Sequence, residues 1–155
     1  MILYHGGYIK IEKPEIRQSR YPKDFGMGFY CTQFYEQAVR WAKRYDTPIV
    51  SKYQYKIDEA NQKKLVILQF NEMTEEWLDF IVQCRNSGEH NYDVVSGAMA
   101  NDQIFNYIAD YISGILTREQ FWVLAKFKHP THQISFCSLA ALSCLSFMDS
   151  EAIEK

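Results

Sequence analysis

The sequence predicts an α+β domain in which mainly antiparallel strands pack against flanking helices. Apolar and polar residues alternate from Ile49 to Ile57 and again from His132 to Phe136, which is typical of strands buried on one face. Helical stripes separate these strands, but strands and helices do not alternate as regular βαβ units. The chain has 155 residues, of which 47% are hydrophobic. We therefore expect one domain, residues 1–155, with a sizeable core.

The first third of the chain predicts two strands and one helix. Ile2–His5 predicts the first strand, which the following glycine pair ends because glycine weakens a strand. Two prolines predict an ordered loop from about residue 8 to 24. Phe29–Cys31 predicts the second strand, and Thr32 is placed to cap a helix. The predicted apolar stripe of this helix comprises Phe34, Ala38, Trp41, Ala42 and Tyr45.

The rest of the chain predicts further strands and three helices. The apolar run Leu65–Phe70 predicts a central strand, and Thr74 predicts the cap of the helix that follows. Tyr92–Val95 predicts a short strand before a loop of small residues. Two helices follow, the second with a capping box at Thr117, and His129–Pro130 breaks the chain after them. The end of the chain predicts a helical turn and a last strand.

Composition and charge exclude several classes of protein. The formal net charge is −2 and both signs are interspersed, which argues against a strong electrostatic footprint for nucleic acid. The four cysteines lack ligand-pair spacing, so we expect free thiols and no metal site. We find no basic leader and no apolar run of about 20 residues. These features predict a cytoplasmic protein without a membrane span.

The stretch Ser19–Thr32 predicts a binding cleft. Gly26 and Gly28 allow the backbone to approach a ligand closely, and the aromatic residues after them offer a flat surface to a planar group. Taken alone, the glycines are also typical of turns, and Tyr30 is also typical of a core. Cys31 with His5 allows a second interpretation, a Cys–His nucleophile pair, but no third orienting group is indicated.

Five motifs in order resemble a known family. They are His5–Gly6, Ser19–Tyr30, Gln37–Ala42, Asp93–Asp102 and Gln133. Together they are similar to a bacterial domain family of unknown function, number 3990. That family is placed in the ADP-ribosyltransferase superfamily, in the class with a His-Tyr-Glu triad that includes diphtheria toxin and the poly(ADP-ribose) polymerases. Nearly the whole chain is covered by the resemblance.

The resemblance implies an ADP-ribosyltransferase-like fold with split, mainly antiparallel sheets. It also implies an NAD-dependent mono-ADP-ribosyltransferase that cleaves the nicotinamide–ribose bond. ADP-ribose would then pass to an unidentified macromolecular acceptor, either protein or nucleic acid, as in a bacterial toxin or conflict system. NAD is the implied co-substrate, and no metal is implied.

The resemblance also implies roles for individual residues. His5 would hold a hydroxyl of the adenosine ribose, Tyr30 would stack on nicotinamide, and Arg20 would reach the pyrophosphate. Gly6 would hold the nicotinamide amide through its backbone. The implied catalytic residues are His5, Tyr30 and Gln133. The implied cofactor-binding residues are Gly6, Arg20, Asp24, Phe25, Gly26, Gly28 and Asp102.

Gln133 departs from the pattern, because it stands where the best-known enzymes carry Glu. A neutral amide keeps a hydrogen bond to the ribose 2′-hydroxyl but loses the negative charge, which typically costs on the order of 100- to 1000-fold in rate. Polymer formation is therefore disfavoured. Asp102 could supply a carboxylate from its loop, or Asn101 or Asp102 could simply cap the next helix.

Two other functions follow from the same residues. The neutral Gln133 favours a catalytically weak or inactive module that binds NAD or another nucleotide. The abundance of aromatic residues allows a protein–protein interaction domain instead. A cleft shared by His5, Tyr30 and Gln133 would favour the transferase or the nucleotide-binding module over the protein–protein interaction domain.

Overall fold

Seven strands of the computed structural model, which describes residues 1–125 and 131–155, form two sheets. In chain order they are β1 (Ile2–Gly7), β2 (Phe29–Cys31), β3 (Ile49–Tyr55), β4 (Ile67–Gln69), β5 (Val94–Gly97), β6 (Gln133–Phe136) and β7 (Leu145–Ala152). The strand order is β1-β3-β7 in one sheet and β2-β6-β5-β4 in the other. Four of the five pairings are antiparallel, and β4 runs parallel to β5.

Six helices of the described chain flank these sheets. They are α1 (Tyr35–Ala42), α2 (Ile57–Gln62), α3 (Glu75–Ser87), α4 (Asp102–Ile112), α5 (Arg118–Ala125) and α6 (Leu139–Leu142). Thr74 caps α3 and Asn101 caps α4 through side-chain oxygens that accept backbone N–H bonds. The predicted capping box of Thr117 and Gln120 forms at the start of α5. Helices and mixed, mainly antiparallel sheets confirm the predicted α+β class.

The two sheets share a core, and helices cover their outer faces. Alternate side chains of both sheets meet in this core, including Leu3, Phe29, Tyr53, Val94 and Phe136. Because successive strand residues point to opposite faces, Tyr30 and Val95 face the other way, into a second cluster built on α3, α4 and α5. Ala38 and Ala42 of α1 pack against Val50 of β3.

A cleft begins where β1 and β2 separate. The two strands meet at an antiparallel bridge, in which Tyr4 and Thr32 exchange backbone hydrogen bonds of 2.8 and 2.9 Å. Beyond the bridge, β1 pairs with β3 and β2 pairs with β6, so the strands belong to different sheets. His5 on β1 follows the bridge by one residue and Tyr30 on β2 precedes it by two, so both lie at the junction of the sheets.

Several predicted element boundaries were wrong. The first strand runs through both glycines, because Gly6 and Gly7 continue the register with Val50 and Ile49 of β3. The run Leu65–Phe70 contains a three-residue edge strand instead of a central strand, since β4 pairs with β5 at the sheet margin.

Two helix predictions also need correction. Ile57 starts α2 and does not end a strand. Thr32 does not cap α1. Its Oγ1 accepts the N–H of Phe34, and Phe34 occupies the N-cap position. The predicted break at His129–Pro130 lies outside the described residues.

Gly6 is required by close packing against α1. A Cβ atom at this position would collide with the carbonyl oxygen of Ala38 and would lie 2.8 Å from the backbone nitrogen of Ala42. Backbone atoms of a helix cannot move aside without breaking helical hydrogen bonds. Gly6 was predicted to allow the close approach of a ligand. In the structure, its missing side chain also lets β1 and α1 touch.

We expect Gly6→Ala to reduce the free energy of unfolding by about 3 kcal/mol or more, through overpacking between β1 and α1. Gly7→Ala is the matched control. A Cβ there would lie 3.3 Å from Nε2 of His5 and would approach no helix backbone atom within 4 Å, so we expect a loss below about 1 kcal/mol. Urea unfolding of both variants measures the difference, and equal losses would contradict this account of Gly6.

Candidate functional site

One cleft of about 640 Å³ lies at the junction of the two sheets. His5, Tyr30 and Gln133, the three predicted catalytic residues, all line it. Its volume falls within the range of roughly 300–1,000 Å³ that small-molecule and cofactor sites occupy. The predicted cofactor-binding residues that also line the cleft are Gly6, Asp24 and Gly28.

Three of the other predicted residues lie elsewhere. Arg20 is exposed and is not part of the cleft lining. Phe25 is fully buried in the cluster under α3, and Gly26 forms a turn with a φ of 76°, which favours glycine. Asp102 is the first residue of α4, and its side chain lies outside the described part of the structure.

The ring of His5 is held in one orientation. Its Nδ1 lies 2.7 Å from the backbone oxygen of Tyr30, so Nδ1 carries the proton and donates it. The ring stacks on Phe29 with centroids 4.5 Å apart. Burial lowers the pKa of His5, which keeps the ring neutral at neutral pH. In this tautomer Nε2 is an acceptor, suited to a ligand hydroxyl.

Tyr30 holds the glycine loop in place through its hydroxyl. The hydroxyl donates to the Gly26 oxygen at 2.6 Å and accepts the Phe25 N–H at 3.1 Å. Burial raises the pKa of Tyr30, so the hydroxyl stays protonated. Over the ring lies the ammonium of Lys23, with Nζ 5.1 Å from the centroid. The predicted stacking surface therefore already binds a cation.

A buried carboxylate stands beside Gln133. The Gln133 side chain is 4% exposed, and its Nε2 donates to Oδ2 of Asp24 at 2.9 Å. The same oxygen accepts the Ala100 N–H at 2.9 Å, and Oδ1 accepts from Arg85 at 3.0 Å. Arg85 reaches this point from α3, where its guanidinium packs 3.9 Å above the ring of Phe105. Three segments of the chain thus converge on Asp24.

The comparisons with known proteins show the family. Residues 1–147 match the family described as "Protein of unknown function (DUF3990)".

The chain belongs to DUF3990.

No curated protein and no solved structure matches this DUF3990 chain. Among its described residues, no helix is long and apolar enough to cross a membrane.

Gln37 is a site residue that the sequence argument missed. It is 1% exposed, and its amide binds both backbone groups of the residue before Gln133. Oε1 accepts the His132 N–H at 3.1 Å and Nε2 donates to the His132 oxygen at 2.5 Å. The available signal was a glutamine on the apolar stripe of α1, where an uncharged polar side chain needs buried partners. Gln37 therefore links α1 to the start of β6.

The basic side chains that line the cleft of this chain do not include the predicted Arg20. The basic residues that line it are Lys10, Lys13, Arg17, Lys23 and Arg44. Lys10 pairs with Glu12 at 2.5 Å and Arg17 pairs with Glu15 at 3.1 Å, both on the exposed loop after β1. Burial lowers the pKa of Lys23, while the neighbouring Asp24 raises it and Arg44 lowers it. Glu12, Glu15 and Asp24 line the cleft as well, so its described lining carries five basic and three acidic side chains.

The structure disfavours a nucleophile pair formed by Cys31 and His5 in this chain. Cys31 is fully buried, and burial raises the pKa of its thiol well above the usual value. A buried protonated thiol is a poor nucleophile. All four cysteines are free, and the described residues hold no cluster of three or more potential metal ligands from His, Cys, Asp and Glu.

The pH dependence of stability follows from two partly buried histidines. Burial lowers the pKa of His132 to about 4, from 6.5 for the unfolded chain, and also lowers the pKa of His5. Between these values the unfolded chain binds protons that the folded chain does not, so stability falls as the pH drops from about 6.5 to about 4. Because the His132 ring is partly exposed, we expect its contribution to be roughly 2 kcal/mol.

Urea unfolding of the wild type and His132→Gln between pH 7 and pH 4 tests this dependence. Glutamine keeps a polar side chain at the position but does not titrate, so its stability should fall less steeply. Parallel curves for the two proteins would show that His132 binds a proton equally well in both states.

Proposed function

We propose that this chain is an NAD-cleaving mono-ADP-ribosyltransferase of the His-Tyr-Glu class. The observation that carries the proposal is that His5, Tyr30 and Gln133, which lie far apart in sequence, line one cleft between the two sheets. The cleft volume, the neutral His5 and the nearby cations suit a dinucleotide. The acceptor of ADP-ribose is a macromolecule, and a bacterial toxin or conflict system is the proposed setting.

In the proposed reaction, NAD supplies a nicotinamide leaving group and an electrophilic ribose carbon. The glycosidic C–N bond breaks, nicotinamide departs with the bonding electrons, and the acceptor forms a new bond to the same carbon and loses a proton. Nε2 of His5 accepts a hydrogen bond from a hydroxyl of the adenosine ribose. The side-chain oxygen of Gln133 accepts a hydrogen bond from the 2′-hydroxyl of the reacting ribose.

A second candidate is a module that binds NAD with little or no turnover. Two observations favour it: Gln133 carries no charge, and the nearest carboxylate, Asp24, is paired with Arg85 at 3.0 Å. Positive charge that develops on the ribose would thus meet a carboxylate already neutralised in part. Removal of one preorganised electrostatic partner costs on the order of 100- to 1000-fold in rate.

Nicotinamide release from NAD by the purified protein separates the two candidates. We expect release in the wild type, a roughly 100-fold lower kcat in Gln133→Ala and a roughly tenfold higher KM in His5→Ala. Gln33→Ala is the matched control, since Gln33 is exposed. Calorimetric binding of NAD without release would favour the binding module. Neither binding nor release by folded protein would refute both.

Lys23 covers the ring on which the cationic nicotinamide group would stack. We expect Lys23→Met to bind 1-methylnicotinamide, a cation without phosphate, several-fold more tightly than the wild type, because a competing ammonium is gone. Lys10→Met removes a cleft lysine that pairs with Glu12 and should leave this affinity unchanged. Calorimetry measures both, and weaker binding by Lys23→Met would show that Tyr30 is not the stacking surface.

A further inference from the structure

A side-chain amide can present two chemically different ends to a ligand. If Nε2 of Gln133 faced the cleft, the residue would donate hydrogen bonds there; if Oε1 faced it, the residue would accept them. The proposed function asks Gln133 to accept a hydrogen bond from the ribose 2′-hydroxyl, which only Oε1 can do. The orientation of this one amide therefore decides whether Gln133 can do its proposed work.

Asp24 fixes that orientation. Its carboxylate accepts from Nε2 of Gln133 at 2.9 Å, and a carboxylate cannot accept from Oε1. Nε2 is also within 3.5 Å of the Ala98 oxygen, a second acceptor on the same side. Among the described residues, no donor contacts Oε1. The amide oxygen is thus the end left for a ligand.

Asp24 is itself held rigidly. Its partners are all donors: the guanidinium of Arg85, the Ala100 N–H and the Gln133 amide. The carboxylate and the guanidinium are 9% and 5% exposed. Buried ionic groups of this kind keep a fixed geometry because any departure would leave a charge unpaired.

We propose that Asp24 is a positioning residue that orients Gln133 and, through it, lends negative charge to the reacting ribose. The proposal rests on the proposed function. Asp24 and Gln133 act as a matched pair that divides between two side chains the tasks of one glutamate. The charge belongs to Asp24, and the hydrogen-bonding oxygen belongs to Gln133.

The matched pair explains why a simple reversion to glutamate should fail. In Gln133→Glu, two carboxylates would meet where an amide now donates to a carboxylate at 2.9 Å, and like charges at that distance repel strongly when buried. In Asp24→Asn, the amide of Gln133 loses its charged acceptor. The double variant, Asp24→Asn with Gln133→Glu, exchanges the two groups and restores a donor opposite a carboxylate.

The experiment measures melting temperature and NAD cleavage for the wild type, both single variants and the double variant. We expect each single variant to melt about 5 °C lower or more, and Asp24→Asn to lower kcat at least tenfold with less than a threefold change in KM. The melting temperature of the double variant should be higher than the value obtained by adding the two single decreases. Its kcat should be at least tenfold higher than that of Asp24→Asn. Recovery is incomplete because the Ala100 N–H loses its acceptor.

Asp93→Asn is the matched control. Asp93 also holds neighbouring segments, accepting from Ser138 at 2.6 Å and from the Val66 N–H at 2.8 Å, but it is not part of the cleft lining. We expect a lower melting temperature and a kcat within about twofold of the wild type. A tenfold loss of kcat in this variant would show that general destabilisation accounts for Asp24→Asn.

The outcomes separate this proposal from the proposed function. Absence of nicotinamide release by the wild type would refute the proposed function, and the melting temperatures would then still test the pair. Additive melting shifts in the double variant would overturn the pairing of Asp24 with Gln133. Recovery of melting temperature without recovery of kcat would overturn the positioning role and leave Asp24 a structural ion pair.

Discussion

The hydrogen-bonded junction between β1 and β2 is the constraint on which the candidate site depends. The bridge between Tyr4 and Thr32 ties the two sheets together. One residue after Tyr4 and two residues before Thr32, Nδ1 of His5 donates to the Tyr30 backbone oxygen. These contacts bring the sheets into register at one point and let them separate beyond it. The cleft is the space that this separation leaves, so its position is a property of strand pairing.

Electrostatics inside the cleft are organised around buried groups. The pair of Asp24 and Arg85 is almost fully removed from water, an arrangement that contributes little net stability and persists when it fixes a geometry. Three segments without sequence proximity meet at Asp24: the α3 helix, the turn before α4 and the start of β6. The ion pair thereby sets the positions of the loops and the side chain that border the cleft.

Local sequence signals predicted local structure well. The caps of α3, α4 and α5 followed from Thr74, Asn101 and the box of Thr117 with Gln120, because a cap involves residues a few positions apart. The run Leu65–Phe70 misled, since apolar character does not tell whether a strand lies at the centre or the edge of a sheet. Gln37 was missed because its partner, His132, is 95 residues away.

The sequence alone determined the α+β class and the membership of DUF3990, because these depend on periodicity and ordered motifs. Its family resemblance also indicated His5, Tyr30 and Gln133, which the structure brings to one cleft. The tertiary structure decided how those residues are used. It placed a carboxylate of Asp24 against Gln133, an ammonium of Lys23 over Tyr30 and a proton on Nδ1 of His5. Charge, tautomer and amide orientation are set by neighbours that are distant in the chain, and no pattern along the sequence encodes those distances.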